Sequence, residues 1–246
     1  MRIALLMPMR DEPAEPTRYA LEHYTDGLDV AYVPVRGLAL EAARNRLWEL
    51  GSQVRPVPDV VLWADADAFW LRGTLAAAVA RVRGLGEKAV VGSFHGKRYG
   101  FSPLQAYRFE GGKPAAVTVA QARSAPDGLT DVFFVGSHFF AHAPALFGLL
   151  GREPFAIDER VIGEDHAFCL RALEAGCRVV LDARLPVFHC EGDSAFLPGF
   201  PRLEYRDGAL FPTDETPQTV EVPPLRAYGP VVDELRARLS QEVNAP

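Results

Sequence analysis

The sequence of 246 residues contains few cysteines and no long hydrophobic run. Cys169, Cys177 and Cys190 are odd in number and the first two fall in predicted core elements, which predicts buried free thiols in a reducing compartment. No C-x-x-C or H-x-x-H partner accompanies Cys190 and His189, which argues against a Cys-His metal site there. No stretch approaches the roughly 20 apolar residues that span a bilayer. The apolar start, residues 3–9, predicts a strand rather than a signal peptide, so the expected location is cytoplasmic.

The sequence also lacks a strong charge of one sign and an internal repeat. Its formal net charge is −6, which gives no field that would draw the whole molecule to nucleic acid or anionic lipid. Hydrophobic residues at 48% and charged residues at 24% are typical of a globular protein. The length suits one α/β domain with a sizeable core.

Strand and helix patterns alternate through the first half of the chain. Apolar runs predict strands near residues 2–8, 29–35, 59–64 and 88–93. Helical spacing predicts helices near residues 14–25, 38–51 and 71–84. This order predicts an α/β fold with a mostly parallel central sheet, right-handed crossovers and helices on both faces. From residue 193 to 230 the chain is rich in proline and predicts a tail that wraps the domain, with a last helix over 231–239.

Two carboxylates one residue apart follow a short apolar run. The uncharged residues 60–64 are typical of a strand buried on both faces, and they end at Asp65 and Asp67. Ligands of open α/β sheets bind beyond the carboxyl ends of such strands. Paired aspartates there supply the hard oxygen ligands that Mg²⁺ or Mn²⁺ takes together with phosphates. The alternative is that both acids only cap the helix predicted near Leu71.

A second acidic motif, G-E-D at residues 163–165, opens another predicted helix. Apolar residues follow at helical spacing, and Gly176 stands where a glycine ends a helix. Glu164 and Asp165 therefore fall in the first turn, where the helix dipole favours negative charge. They could serve only as capping acids. An ionised Asp165 facing a cleft could equally act as general base toward a hydroxyl.

The order of these motifs resembles the GT-A class of nucleotide-sugar glycosyltransferases, with the closest likeness to family 2-like enzymes. D-A-D follows a buried strand, G-E-D opens a later helix, and His189 comes two strands on. Residues 42–45, Ala-Ala-Arg-Asn, resemble the A-R-N that opens the helix before the D-x-D strand in that family. The likeness runs from residue 1 to about 189. It implies a single domain over 1–246, with a nucleotide-sugar half at 1–93, an acceptor half at 94–192 and a tail at 193–246.

The resemblance also implies roles for individual residues. Asp67 and His189 would bind Mn²⁺ or Mg²⁺, and Asp65 would bind the metal or the donor ribose. The remaining donor-binding residues would be Arg10, Arg44 and Asn45. Asp165, or its neighbour Glu164, would be the catalytic base of an inverting transfer. The second strand ends at Arg36, where the family usually has an acidic residue that reads the nucleobase, so the donor base stays open.

Two further segments suggest an acceptor side. The stretch over 94–109 interleaves aromatic and basic residues, including His95, Arg98 and Tyr99, which could stack sugar rings and hold phosphates. The alternative there is a β-hairpin that covers the core. Gly136 and Ser137 lie in a segment, residues 131–142, that resembles the one preceding the acceptor side of the family's site. His138 and His142, in that same segment, are interpreted as core or surface histidines on one strand face.

Two other classes share part of the pattern. A haloacid-dehalogenase-like phosphatase also pairs an early D-x-D with a later G-D-D or G-E-D. That family places D-x-D after its first strand and Thr or Val two positions on, whereas here two βα units precede and Phe69 fills that slot. A non-enzymatic carbohydrate-binding module would not need three separated acids and a histidine, whereas a catalytically silent carbohydrate-binding relative stays open as an alternative. The expected function is metal-dependent sugar transfer to an acceptor that stays open: a saccharide, lipid-linked sugar, protein, metabolite or modified nucleic-acid base.

Overall fold

The computed structural model describes residues 1–96, 104–161, 163–192, 194–197, 202–206 and 209–212. Within them the strands are β1 (Arg2–Met9), β2 (Asp29–Arg36), β3 (Val60–Trp63), β4 (Ala68–Trp70), β5 (Ala89–Phe94), β6 (Ala106–Glu110), β7 (Lys113–Ala116), β8 (Leu129–Asp131), β9 (Phe134–Val135), β10 (Phe139–His142), β11 (Arg178–Glu191), β12 (Ser194–Phe196), β13 (Leu203–Arg206) and β14 (Ala209–Pro212). The helices are α1 (Glu15–His23), α2 (Leu40–Gln53), α3 (Thr74–Leu85), α4 (Val119–Ser124), α5 (Ala143–Leu149) and α6 (Glu164–Glu174).

The central sheet has its six core strands in the order β2-β1-β3-β10-β5-β11. Five of these strands run in the same direction, and β10 runs antiparallel between β3 and β5. Beyond β11 the sheet continues through β12, β13 and β14, while β4 and β8 also pair with β11. A smaller sheet has the order β7-β6-β9. The predicted mostly parallel central sheet is confirmed.

The predicted strands of the first half are stabilised by burial of their apolar side chains. Residues 3–7 of β1 are fully buried, so both faces of the strand meet apolar neighbours. Helix α2 packs on β1 and β2, and α3 packs on β5 and β10. Gly51 permits the close approach of α2, because a Cβ there would stand 3.0 Å from the Leu6 side chain. Among the residues described, no helix is both long and apolar enough to cross a membrane.

An aromatic cluster fixes helix α6 to the central sheet. The Phe168 ring lies 5.2 Å from Trp63 at the end of β3 and 4.7 Å from Phe139 at the start of β10. The helix ends as predicted at Gly176, which has a φ of +76°. There the N–H groups of Gly176 and Cys177 donate to carbonyls of the last turn, at 2.9 and 2.8 Å. The aromatic contacts and the glycine end position α6, and with it the G-E-D turn at its start.

Three details differ from the sequence-based expectations. Strand β4 follows the D-A-D turn directly, and helix α3 begins only at Thr74, because residues 68–70 pair antiparallel with β11. The strand predicted after α6 is longer than expected and includes His189, so this histidine lies one strand after the helix rather than two. The parts of the predicted tail that the structure describes form β12 to β14, whereas the helix predicted over 231–239 lies outside the described residues.

Candidate active site

The acidic motifs meet at the carboxyl edge of the parallel strands. The D-A-D turn follows β3, and the G-E-D residues open α6. Both groups of acids face Arg44, which projects from α2 and is 1% exposed. The Arg44 guanidinium lies 3.1 Å from Asp65, 2.9 Å from Asp165 and 3.4 Å from Glu164. One buried cation thus joins the two motifs, which are about a hundred residues apart in the sequence.

Burial and charge shift the pKa values of this cluster. Burial raises the pKa of Asp165 from 3.8 to about 7, because the favourable charge of Arg44 is offset by Glu164 and Asp65. Burial likewise raises the pKa of Asp65 against the opposing effect of Arg44. For Arg44 burial alone would lower the pKa, but the surrounding carboxylates outweigh it and raise the pKa. Asp165 is therefore a carboxyl that changes protonation near neutral pH.

Asp67 forms a second pair with His189. The carboxylate Oδ2 lies 2.9 Å from His189 Nε2. Strand pairing sets this contact, because β4 places Ala68 opposite His189 and Cys190 N–H donates to the Asp67 carbonyl at 2.6 Å. Burial would lower the pKa of His189, but the hydrogen bond and charge of Asp67 outweigh it and raise the pKa. The predicted Asp67 and His189 are thus brought into direct contact.

Two more histidines are buried behind this pair. His138 Nε2 accepts a hydrogen bond from the Asp65 backbone N–H at 3.3 Å. His95 donates from Nδ1 to the Val187 carbonyl at 3.2 Å, and its ring stacks on that of His189 at 5.2 Å. Burial together with His189 lowers the pKa of His95 to about 4, and burial together with His95 lowers that of His138 well below its usual range. Both rings are therefore neutral at physiological pH.

Asn45, which the resemblance places near the donor, contacts the protein backbone. Its side-chain oxygen accepts a hydrogen bond from Phe155 N–H at 2.9 Å. One turn earlier on α2, Glu41 accepts from Ile157 N–H at 3.0 Å. The Phe155 ring is fully buried and lies 5.7 Å from the Arg44 guanidinium. Helix α2 therefore holds the segment before α6 in place and covers Arg44 with an aromatic ring.

The other predicted site residues have varied surroundings. Ser137 is buried and hydrogen bonds to Asp65, which opposes the rise that burial causes in the pKa of that acid. Gly136 packs so closely on Gln105 that a Cβ at position 136 would stand 1.9 Å from the side-chain oxygen of Gln105. Arg10 is exposed, just beyond the end of β1. Arg98 and Tyr99 lie outside the described residues.

His138 is a site residue that the sequence interpretation missed. The interpretation as a core or surface histidine agrees with its burial, but it did not include the contact of the ring with the backbone of the D-A-D turn. The sequence signal for His138 is its position directly before an apolar strand. That signal indicates a site residue only if β10 is known to run antiparallel, which brings the start of the strand to the site. That direction is a property of the tertiary fold.

The charges of the site suit a cation. Three carboxylates, those of Asp65, Glu164 and Asp165, surround the one guanidinium of Arg44, and a fourth, that of Asp67, pairs with His189. Asp67 and His189 offer oxygen and nitrogen donors of the kind Mn²⁺ takes. Within the described part of the chain, no three His, Cys, Asp or Glu side chains form a set that could hold an ion. The predicted three-residue ligand set is not preassembled, since the Asp65 carboxylate turns to Arg44.

Comparison with solved structures supports the fold assignment. The chain is similar to "A197 from STIV" at a TM-score of 0.59 and 15% identity, over 90% of this chain and 99% of that one. It is also similar to GalNAc-T7, crystallised with UDP, GalNAc and Mn²⁺, at a TM-score of 0.51 and 14% identity. That match covers 78% of this chain and 43% of the other. The predicted GT-A fold is confirmed. No family model and no curated protein sequence matches the chain.

Proposed function

We propose that this protein is a metal-dependent glycosyltransferase that moves a sugar from a nucleotide-sugar donor to an acceptor hydroxyl with inversion. The observation that carries the proposal is the buried Arg44, which joins the D-A-D acid Asp65 to the G-E-D acid Asp165 at the carboxyl edge of the sheet. Ligands bind at that edge in open α/β sheets. The shared fold with GalNAc-T7, whose crystal structure holds UDP, GalNAc and Mn²⁺, supports the same assignment.

The donor side is assigned to the D-A-D turn and its neighbours. Asp67 and His189 would hold Mn²⁺ or Mg²⁺, with the remaining ligands supplied by the donor diphosphate and water. When bound, the ion stabilises the negative charge of the leaving nucleoside diphosphate as a Lewis acid. Asp65, fixed by Arg44, would contact the donor ribose or the metal through water. Arg10, exposed at the end of β1, would face the donor phosphates.

Asp165 is assigned as the general base. An inverting transfer removes the proton of the acceptor hydroxyl as its oxygen attacks the anomeric carbon and the bond to the diphosphate breaks. A carboxylate with a pKa near 7 is a stronger base than an ordinary aspartate and is still ionised in a useful fraction at neutral pH. The Arg44 guanidinium lies 2.9 Å from this carboxylate as its ion-pair partner. Glu164, in the same helical turn, is the alternative base.

The acceptor side is assigned to residues 94–109. His95, in the described part of this segment, is buried and stacks on His189, so it would support the site from behind, and the acceptor contacts are proposed for Arg98 and Tyr99 from sequence. The close packing of Gly136 and the hydrogen bond of Ser137 to Asp65 favour a supporting role for these two residues over the expected acceptor contact. The acceptor class stays as open as the sequence left it. The buried free cysteines support action in a reducing compartment such as the cytoplasm.

Release of nucleoside diphosphate from a panel of sugar nucleotides, measured with Mn²⁺ present, tests the proposal. Generic phosphatase substrates are assayed in parallel. We expect turnover of at least one sugar nucleotide, lost in Asp67→Asn. Asp131→Asn is the matched control, because that acid is exposed on β8 and pairs with Arg178. Hydrolysis of the phosphatase substrates alone would favour the dehalogenase-like alternative, and sugar binding without any turnover would favour a silent relative.

A further inference from the structure

The reversed direction of β10 brings the start of this strand to the site. Its pairing with β3 ends with Phe139 opposite Trp63. His138, the residue before Phe139, accepts a hydrogen bond at its backbone carbonyl from Ser93 N–H in β5 at 2.9 Å. The main chain of His138 therefore pairs with β5. Beyond the end of β3, the Asp65 N–H is therefore not met by a strand neighbour. It donates to the imidazole of His138.

Other positions of the D-A-D turn are held by backbone contacts. These hydrogen bonds run from Ala64 N–H to Leu6 O at 3.1 Å, from Ala68 N–H to Asp65 O at 3.2 Å, from Ala14 N–H to Ala66 O at 2.8 Å and from Cys190 N–H to Asp67 O at 2.6 Å. The Asp65 N–H differs because its acceptor is the side chain of His138. A single substitution can therefore remove that contact and leave the backbone contacts of the turn in place.

We propose that His138 is a positioning residue for the D-A-D turn, a role that rests on the proposed function. Its ring is 2% exposed, so it acts through Asp65 and not on a substrate. His138 fixes the backbone of Asp65, while Ser137 and Arg44 fix its carboxylate. The direction of the turn at Asp65 sets where Asp67 emerges beside His189. The segment before β10 thus supports the donor side of the site.

Two variants of His138 separate the hydrogen bond from the volume of the ring. His138→Ala removes the acceptor. His138→Gln keeps one, because a glutamine carries its amide oxygen as many bonds from Cα as histidine carries Nε2. His142→Ala is the matched control: it lies at the far end of the same strand, where its ring accepts from Ala145 N–H at 3.4 Å and caps α5. It changes a histidine of β10 without contact to the turn.

Hydrogen exchange of the Asp65 amide reports on its hydrogen bond to His138 and does not require an active enzyme. We expect His138→Ala to lower protection of the Asp65 amide by roughly tenfold or more, His138→Gln to restore most of it, and His142→Ala to leave it unchanged. Turnover of the sugar nucleotide should fall by roughly 10²-fold in His138→Ala, mainly in kcat, because a displaced turn misplaces reacting groups. His138→Gln should recover most of that turnover.

The two readouts keep this inference distinct from the proposed function. If the wild type turned over no sugar nucleotide, the proposed function would be lost, and the exchange pattern would still decide whether His138 holds Asp65. Unchanged Asp65 protection in His138→Ala overturns the inference, as does a His138→Ala enzyme with wild-type kcat. Equal loss of protection across the whole sheet, with no recovery in His138→Gln, would show that the ring only fills space and would also overturn it.

Discussion

Replacing Asp165 by asparagine should make the protein more stable and less active. The pKa of this buried carboxyl is raised from 3.8 to about 7, so the folded state resists its ionisation. A difference of that size corresponds to on the order of 4 kcal/mol, at about 1.4 kcal/mol per pH unit. Asparagine resembles the neutral acid in shape and removes this cost. Arg44 keeps Asp65 and Glu164 as partners in the variant.

The sign of the effect depends on pH. Because the folded-state pKa lies above the unfolded one, the stability contributed by protonated Asp165 is fully present below about pH 4 and is lost as the pH rises through about 7. The asparagine variant has no such proton to lose. The difference in unfolding free energy between Asp165→Asn and wild type should therefore be near zero at pH 3, increase between about pH 4 and 7, and stay constant above that range. Urea denaturation across this range measures it.

Transfer activity supplies the second half of the test. Asp165→Asn should lower single-turnover transfer by at least the roughly 10²-fold typical of a lost general base, with donor affinity by calorimetry close to wild type. Glu164→Gln is the control, since it removes a carboxylate from the same turn and should reduce transfer less. A variant that is less stable than wild type at pH 8 and transfers normally would show that Asp165 only caps α6, and the reasoning would fail.

Three other changes have clear expected outcomes. Asp67→Asn should abolish donor turnover and change the melting temperature little, whereas His189→Ala should weaken Mn²⁺ affinity less than Asp67→Asn does. Calorimetry with Mn²⁺ and turnover assays check both variants. An active Asp67→Asn would remove the D-A-D assignment. Arg44→Met should cost about 3–5 kcal/mol in urea denaturation at pH 8, because it leaves buried carboxylates without their cation, and a neutral effect would contradict the cluster. Asn45→Ala should cost about 1 kcal/mol by losing the hydrogen bond to Phe155 N–H, with Asn45→Asp as the control that keeps an acceptor; loss of donor binding without loss of stability would restore the donor role.

The fold of the first half was accessible to sequence analysis because its elements are defined by local patterns. The apolar runs of β1 and β3 are typical of strands buried on both faces, and their observed bounds agree with the predictions to within a few residues. Strand β4 was not predicted, because residues 68–70 lie too close to α3 to form a pattern of their own. The direction of β10 was not predicted either, since a strand of four residues does not reveal which way it runs.

The site was predicted as a set of residues but not as a set of contacts. Asp65, Asp67, Asp165 and His189 were named from spacing and resemblance, and the structure brings them to one edge of the sheet. The burial of Arg44 between the two acidic motifs was not visible, because it depends on how α2 and α6 pack together. Local sequence specifies which charged side chains are present, whereas the packing of the helices decides which of them form ion pairs.

The length of β11 has a consequence for how the gene can change. Its first part pairs with β5 and a later part with β4, and the pairing register shifts between Asp182 and Pro186. Side chains alternate along a strand, so one residue inserted in either regular part would turn His189 away from Asp67. The irregular residues 183–185 are the place where the chain can absorb a change of length. We therefore expect a residue inserted within 183–185 to be tolerated better than one inserted on either side.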